Sequence, residues 1–170
     1  MKPVVVANST PLIGLSRIRR LHILEELFGK VIVPAAVFRE VSVVRGELPG
    51  AQEVRGAEWI ETREVHSRTV VEFLALTVDA GEAEAIALAK EIGADLLLID
   101  DRRGRRTANG VGLSISGTPG VLLRYYQGDE KGFQVALGEL VANGFRLGRD
   151  EQAKILGLAS RHAPGSSNRS

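Results

Sequence analysis

The sequence contains no cysteine and only three histidines, so it holds few of the side chains that bind soft metals. The absence of cysteine excludes disulfides and thiolate metal sites, and His22, His66 and His162 are too scattered for a histidine cluster. Any metal bound by this chain must therefore be held by oxygen atoms.

An excess of one charge and a long apolar run are also lacking. Lysine and arginine number 22 against 21 acids, which gives a net charge of +1, not the strongly basic balance of a non-specific nucleic-acid binder. No apolar stretch is long enough to span a bilayer, and the start, MKPVVVANS, is too short for the core of a signal peptide. These features predict a cytoplasmic protein that has no membrane contact.

The length of 170 residues and the 44% hydrophobic content fit a single domain with a sizeable core. We predict one domain over residues 1–160, with its core at 3–127 and C-terminal helices at 132–160. The Gly/Ser-rich end, residues 161–170, is predicted to be a disordered tail.

The most informative stretch is DAGEAEAIALAKEIGADLLLIDD, residues 79–101. Its Ala-rich first half predicts a helix over residues 81–92, with Asp79 as its N-cap. At the helical period Glu82 leans toward the apolar side, whereas Glu84 lies opposite.

The second half of this stretch predicts a strand that ends in acids. The continuous apolar run at 96–99 suits a parallel strand buried on both faces, and Asp100 and Asp101 follow it directly. Ligands of open α/β sheets bind at the carboxyl ends of the strands, so this acid pair is a candidate site. Arg102, Arg103, Arg105 and Arg106 come next and are predicted to lie in a loop.

Further strands and helices alternate along the rest of the chain. Strands are predicted at 4–7, 31–33, around 59–60 and at 113–116. Helices are predicted to open at Thr10-Pro11, at Pro34 and at Thr118-Pro119, and to cover residues 21–28, 69–76, 133–142 and about 151–160. Residues 45–56 are predicted to form a loop. The alternation predicts a three-layer α/β/α sandwich with a central parallel sheet of four to five strands.

Four oxygen-bearing side chains are predicted to meet at one edge of this sheet. Asn8 and Asp100 end two strands, Glu40 falls within the apolar side of the helix after the second strand, and Glu82 lies in an early helical turn. Such a cluster suits Mg²⁺ or Mn²⁺. Because crowded acids repel one another, some of them should hold a proton at a raised pKa when no metal is bound.

At these residues the chain resembles the PIN-domain family, Mg²⁺-dependent ribonucleases that include the VapC-type toxins of toxin-antitoxin pairs. The resemblance runs from Val4 to about Leu123 and is carried, in the family's order, by VVVANSTPLIGL, VIVPAAVFREV, DAGEAEAIALA, LLLIDDRRGR and SGTPGVLL. The closest resemblance is to a branch of predicted PIN-like proteins.

The resemblance implies roles for particular residues. Glu40, Glu82 and Asp100 match catalytic acids of the family, and these three, Asp101 and Asn8 would hold the metal. Asn8 stands where the family usually has Asp, so it brings an amide oxygen but no charge. The side chains expected to line the substrate groove are Thr10, Thr118, Arg102, Arg103 and Arg105. The implied substrate is RNA, and the implied partners are an antitoxin protein and a second copy of the chain.

Other interpretations of the same residues remain open. Taken singly, Glu40 and Glu82 fit solvated helix edges or ion pairs to nearby arginines, whereas the order of the acids taken together favours a site. One residue of the Asp100-Asp101 pair is expected to cap the following turn. A PIN-like domain that binds RNA or protein without cutting it is the second hypothesis, motivated by Asn8. A receiver-type phosphoacceptor would need its acid pair after the first strand, and a dinucleotide-binding enzyme would need Gly-x-Gly-x-x-Gly there. The sequence at that place is VANST.

Overall fold

The computed structural model of the chain describes residues 2–44, 50–147, 151–155 and 157. Five strands alternate with helices along it: β1 (Val5–Ala7), β2 (Val31–Pro34), β3 (Ile60–Arg63), β4 (Leu96–Leu98) and β5 (Ile115–Ser116). They form a single parallel sheet in the order β3-β2-β1-β4-β5. Helices flank this sheet, so the predicted α/β/α sandwich is confirmed.

Nine α-helices connect and follow the strands within residues 2–44 and 50–147. They are α1 (Ser9–Arg17), α2 (His22–Phe28), α3 (Ala35–Arg39), α4 (Ala51–Gly56), α5 (Arg68–Leu74), α6 (Ala80–Glu91), α7 (Arg102–Gly110), α8 (Thr118–Tyr125) and α9 (Glu130–Ala142). A π-helical turn, Glu40–Val44, continues directly from α3. Residues 151–155 are also helical, at the place where the last helix is predicted.

The strand order places β1 at the centre of the sheet, where the direction of strand progression reverses. The chain proceeds from β1 outward through β2 and β3 on one side, then returns to β4 and β5 on the other. Val5, Val6 and Ala7 pair in register with Leu96, Leu97 and Leu98. In doubly wound sheets ligands bind outside the carboxyl ends of the strands at this switch point. The residues that follow β1 and β4 lie there.

Helix α6 is buried on most of its circumference, because it contacts β1, β2 and β4 as well as α3, α5 and α7. Eight of its twelve residues are buried, and its alanines let neighbouring backbones approach closely. Glu84 is one of the eight, with 7% of its surface exposed, although the helical period predicted a position opposite the core. That prediction was wrong because α5 covers this side of α6, where Arg68 forms a two-point ion pair with Glu84.

Three local predictions also differ from the structure. Residues 51–56 form α4 instead of a loop, while residues 45–49 lie outside the described part. The arginine-rich segment forms α7, because the Asp101 carboxylate accepts hydrogen bonds from the backbone N–H groups of Arg103 and Gly104 and so caps a new helix. The first helix begins at Ser9, with Asn8 in the N-cap position, before the predicted Thr10-Pro11 start.

The chain divides into two compact units, one up to Thr118 and one from Pro119 onward. The first contains the sheet and α1 to α7. The second contains α9, on which Phe133, Ala136, Leu137 and Leu140 are buried. The prediction of one domain over residues 1–160 stays a prediction, and the predicted tail lies outside the described residues. Within the described segments, no helix has the length and apolarity needed to cross a membrane.

Candidate active site

Asn8 places a buried amide at the carboxyl end of the central strand. Its backbone N–H donates to the carbonyl oxygen of Leu98 at 3.0 Å, which ties the end of β1 to the end of β4. Only 4% of the residue is exposed, and its side-chain Oδ1 is buried without a hydrogen-bond partner. Leaving such an oxygen unpaired costs about 1–3 kcal/mol, so it marks a position where a ligand or water would be favourable.

Two other side-chain oxygens converge with this amide around Gly81. A methyl group on Gly81 would lie 3.6 Å from each of three atoms: Asn8 Oδ1, Glu40 Oε2 and Asp79 Oδ1. We call these three atoms the Gly81 oxygen group. They come from the end of β1, from the π-helical turn and from the start of α6, and all three lie within contact distance of the same point beside Gly81. A set of amide and carboxylate oxygens is what a hard divalent cation binds.

Glu40 reaches this group from an irregular helix. It ends α3 and begins the π-helical turn, which is a rare conformation that frequently occurs at functional sites. The residue is half-buried, next to the buried Val37 and Val41 of the apolar side on which the sequence pattern placed it.

Asp79 and Glu82 form a reciprocal capping box at the start of α6. Asp79 Oδ1 accepts from the Glu82 N–H at 2.8 Å, and Glu82 Oε2 accepts from the Asp79 N–H at 3.1 Å. The predicted N-cap is therefore confirmed. The arrangement also fixes both carboxylates at the N-terminal end of α6.

Burial raises the pKa of Glu82 from 4.5 to about 7. The hydrogen bond from the Asp79 backbone opposes this rise, while the charges of Asp79 and Asp101 and a hydrogen bond with Asp101 add to it. Glu82 thus exchanges its proton near neutral pH. One of the site acids thus has a raised pKa as expected, but burial is the largest cause and repulsion between the acids only adds to it.

The other side of these acids opens into a cleft of about 480 Å³ that carries both charge signs. Three acids line it, which we call the cleft acids: Asp79, Glu82 and Asp101. Three arginines of α7 also line it, which we call the cleft arginines: Arg102, Arg103 and Arg106. Within the described residues, no guanidinium of the cleft arginines takes part in an ion pair or hydrogen bond. A cleft with unlike charges that do not pair is suited to a ligand carrying both, such as a phosphate with a divalent cation.

Asp100 is held by Thr118 at the adjoining strand end. One carboxylate oxygen accepts from the Thr118 N–H at 2.7 Å, and the other accepts from the Thr118 hydroxyl at 2.6 Å. Burial raises the pKa of Asp100 above its ordinary value, whereas these hydrogen bonds and the charge of Arg105 lower it. Thr118, which is fully buried, therefore orients Asp100 as well as opening α8.

The structure brings the predicted site residues together in three small sets. Asn8 and Glu40 meet at Gly81, Glu82 and Asp101 meet in the cleft, and Asp100 meets Thr118. Thr10 is exposed on the first turn of α1. In the described part of the chain, no group of three or more acids or histidines is placed to hold one metal ion. The fit to a metal therefore depends on Asn8, whose buried amide oxygen stands with two carboxylates.

Three residues of this region escaped the sequence reasoning. Asp79 was identified only as a cap, Gly81 only as a helical residue, and Arg106 only as part of a charged loop. The available signal was Gly81 itself, because a glycine in a helix of strong helix formers has a cost that needs a reason.

The fold and this site define an α/β/α protein whose polar side chains gather at the carboxyl edge of a parallel sheet. A family model described as DUF3368, PIN domain, matches residues 4–161. The chain therefore belongs to the PIN domain family and has its nuclease-like fold. No curated protein gives a significant match to the sequence.

Proposed function

We propose that the protein is a Mg²⁺- or Mn²⁺-dependent ribonuclease that hydrolyses phosphodiester bonds of single-stranded or structured RNA. The observation that carries this proposal is the unpartnered, buried Asn8 Oδ1 beside a Glu40 oxygen at the switch point of the sheet. Membership in the PIN domain family supports it, and so does the mixed-charge cleft next to these atoms.

The metal would be held beside the amide oxygen of Asn8 and the carboxylate of Glu40, while the other expected ligands, Glu82, Asp101 and Asp100, lie at the adjoining cleft and strand end. When bound, a divalent cation acidifies water and neutralises charge that develops on a phosphate during hydrolysis. Asn8 contributes no charge, so this set is less acidic than one with Asp at that position.

The chain's own residues would position the substrate and handle the proton. The cleft arginines donate to phosphate oxygens, which fixes the RNA backbone without reading its bases. Arg105 lies close enough to Asp100 to lower the pKa of that carboxyl, and Thr118 holds the same carboxylate in one orientation. In the metal-free chain Glu82 has a pKa of about 7, so binding of a cation near this carboxyl would release a proton at neutral pH.

The cellular role we propose is that of a cytoplasmic toxin of a toxin-antitoxin pair, acting as a homodimer. An antitoxin would cover the cleft and neutralise its charges. For the dimer, the exposed apolar side chains of Val70, Phe73 and Leu76 on and after α5 offer a surface. Sedimentation of the purified chain checks this, because a monomer at micromolar concentration would contradict the dimer.

The second candidate is a PIN-like domain that binds RNA or protein without cutting it. Asn8 favours it, because an amide replaces the charge and basicity of the family's usual acid. In this case the acids would serve the cations of a partner, and the cleft arginines would still bind phosphate.

The deciding experiment is cleavage of a mixed single-stranded RNA pool with Mg²⁺, Mn²⁺ or EDTA. Wild-type protein is compared with Glu82→Gln and Asp100→Asn, and with Glu58→Gln as a control at an exposed acid. Metal-dependent cutting that only the two site variants abolish supports the ribonuclease. Equal background cutting by all four proteins refutes it and favours the binding module.

A further inference from the structure

We propose that Asp79 is a further metal-binding residue of this site, and that Gly81 is glycine because the bound cation and its waters need the space that a side chain would fill. The inference rests on the proposed function for the identity of the cation. It adds two residues that the acid pattern of the sequence did not point to.

The first support is that Asp79 belongs to both halves of the site. It lies with Asn8 and Glu40 in the Gly81 oxygen group, and it also lines the cleft with Glu82 and Asp101. Asn8 is buried, Glu40 half-buried and Asp79 exposed, so the three oxygens run from the floor of the site to its rim. Asp79 is the acid that connects the two sets.

The second support is that capping alone does not explain an aspartate here. Ser, Asn and Asp cap helices about equally well, and one oxygen is enough for the hydrogen bond from Glu82. Among the described residues, Asp79 Oδ2 accepts no hydrogen bond, while the negative charge of Asp79 repels that of Glu82. An uncharged cap would avoid this repulsion, whereas a cation bound near both carboxylates would be attracted by each of them.

The third support is that the backbone does not require glycine at position 81. Gly81 is not among the glycines with positive φ, so its conformation suits any residue. A methyl group would meet the three oxygens at 3.6 Å, which is ordinary van der Waals contact. Alanine would therefore fit the metal-free fold and favour the helix, yet it would occupy space next to every oxygen of the Gly81 oxygen group.

The unpartnered Asn8 Oδ1 is what makes this cluster a binding site. Acids that gather at a helix start can be solvated on their own, but the Asn8 amide oxygen is buried and unpaired, in a residue that is only 4% exposed. A cation among the three oxygens would satisfy it directly or through a bound water.

The test is Mn²⁺ binding to the full-length, metal-free chain, with free Mn²⁺ measured by electron paramagnetic resonance and no RNA present. The variants are Gly81→Ala, which fills the space, and Asp79→Asn and Asp79→Ser, which keep the cap without the charge. Gly138→Ala, in helix α9 with open space around its Cβ position, is the matched control. Melting curves in EDTA show that each variant is folded.

Loss of an outer partner of a metal ligand typically weakens binding about 10–100-fold, so we expect at least about a tenfold weaker Mn²⁺ affinity for the Gly81 and Asp79 variants. Gly81→Ala should melt at the same temperature as wild type or higher, and Gly138→Ala should bind Mn²⁺ like wild type. Affinities within twofold of wild type for all Gly81 and Asp79 variants would overturn the inference, as would a wild-type chain that binds no Mn²⁺ at millimolar concentration.

This result is independent of the ribonuclease test. Unchanged Mn²⁺ affinity together with metal-dependent cutting that Glu82→Gln abolishes would refute the role of Asp79 and leave the proposed function standing. Weakened Mn²⁺ binding by the Gly81 and Asp79 variants, together with a wild-type chain that cuts no RNA, would support the role of Asp79 and refute the proposed ribonuclease.

Discussion

Replacing Glu82 by Gln should stabilise the metal-free protein at alkaline pH. Glu82 is 5% exposed, and burial together with neighbouring acids raises its pKa from 4.5 to about 7. The folded state therefore favours the protonated side chain. Its favourable contribution is complete below pH 4.5 and is lost as the pH rises through 7. Gln keeps the neutral form at every pH and can still accept the capping hydrogen bond from Asp79.

The magnitude follows from the difference between the two pKa values. At about 1.36 kcal/mol per pH unit, a change from 4.5 to about 7 corresponds to at most about 3 kcal/mol of unfolding free energy above pH 8. Water in the adjoining cleft reduces this value, so we expect about 1–2 kcal/mol. For a chain of this size that is a rise in Tm of roughly 2–8 °C.

The assay is thermal unfolding in EDTA at pH 5 and pH 8.5. The Tm of Glu82→Gln should exceed that of wild type at pH 8.5 and approach it at pH 5. Glu84→Gln is the matched control, because Glu84 is also buried on α6 but its charge is paired with Arg68. That variant should gain nothing at pH 8.5. An equal Tm gain of Glu82→Gln at both pH values, or a loss at pH 8.5, would refute the reasoning.

Three more predictions follow from the site. Asn8→Asp puts a charge at a position that is 4% exposed, so it should lower the Tm in EDTA at pH 8. The same charge should increase the rise in Tm caused by added Mg²⁺. An unchanged effect of Mg²⁺ on the Tm would contradict the role of Asn8. Changing the three cleft arginines to Gln should weaken the salt dependence of binding to single-stranded RNA, measured by fluorescence anisotropy in EDTA. The slope of log affinity against log salt should become less steep by about 2, since each phosphate contact contributes about 0.7. Equal slopes for wild type and variant would exclude these arginines from RNA binding. Gly104→Ala should lower the Tm, because its Cβ would lie 2.7 Å from Ile99 Cδ1, and such overpacking costs about 1–3 kcal/mol. Gly110→Ala, in the same helix but with open space, should not lower it.

Much of the fold was predictable because its signals are local. The apolar runs at 5–7, 31–34 and 96–98 form the central strands, and glycines at 29 and 93 follow the ends of α2 and α6 with positive φ. Asp79 caps α6 by a hydrogen bond within one turn. The alternation of these elements also predicted the parallel sheet, since a crossover helix between neighbouring strands makes them parallel.

The errors arose where a contact between helices or a capping hydrogen bond overrides what periodicity or charge alone predicts. Glu84 was assigned to the outer side of α6 from its angle on the helical wheel, but α5, which precedes α6, covers that side and supplies Arg68. The arginine-rich segment was assigned to a loop from its charge, although the Asp101 cap starts a helix there. The position of a residue on the helical wheel identifies the face of the helix on which it lies, but it does not show how many faces are covered by neighbouring elements.

The sequence by itself determined which oxygen-bearing residues end the strands and begin the helices, because strand ends and caps depend on near neighbours. Asn8, Glu40, Glu82 and Asp100 could therefore be placed at one edge of the sheet. Only the tertiary structure decided which of their atoms meet. The unpaired Asn8 oxygen, the space at Gly81 and the pairing of Asp100 with Thr118 depend on distances between segments that are tens of residues apart. Packing sets those distances, and no local pattern encodes them.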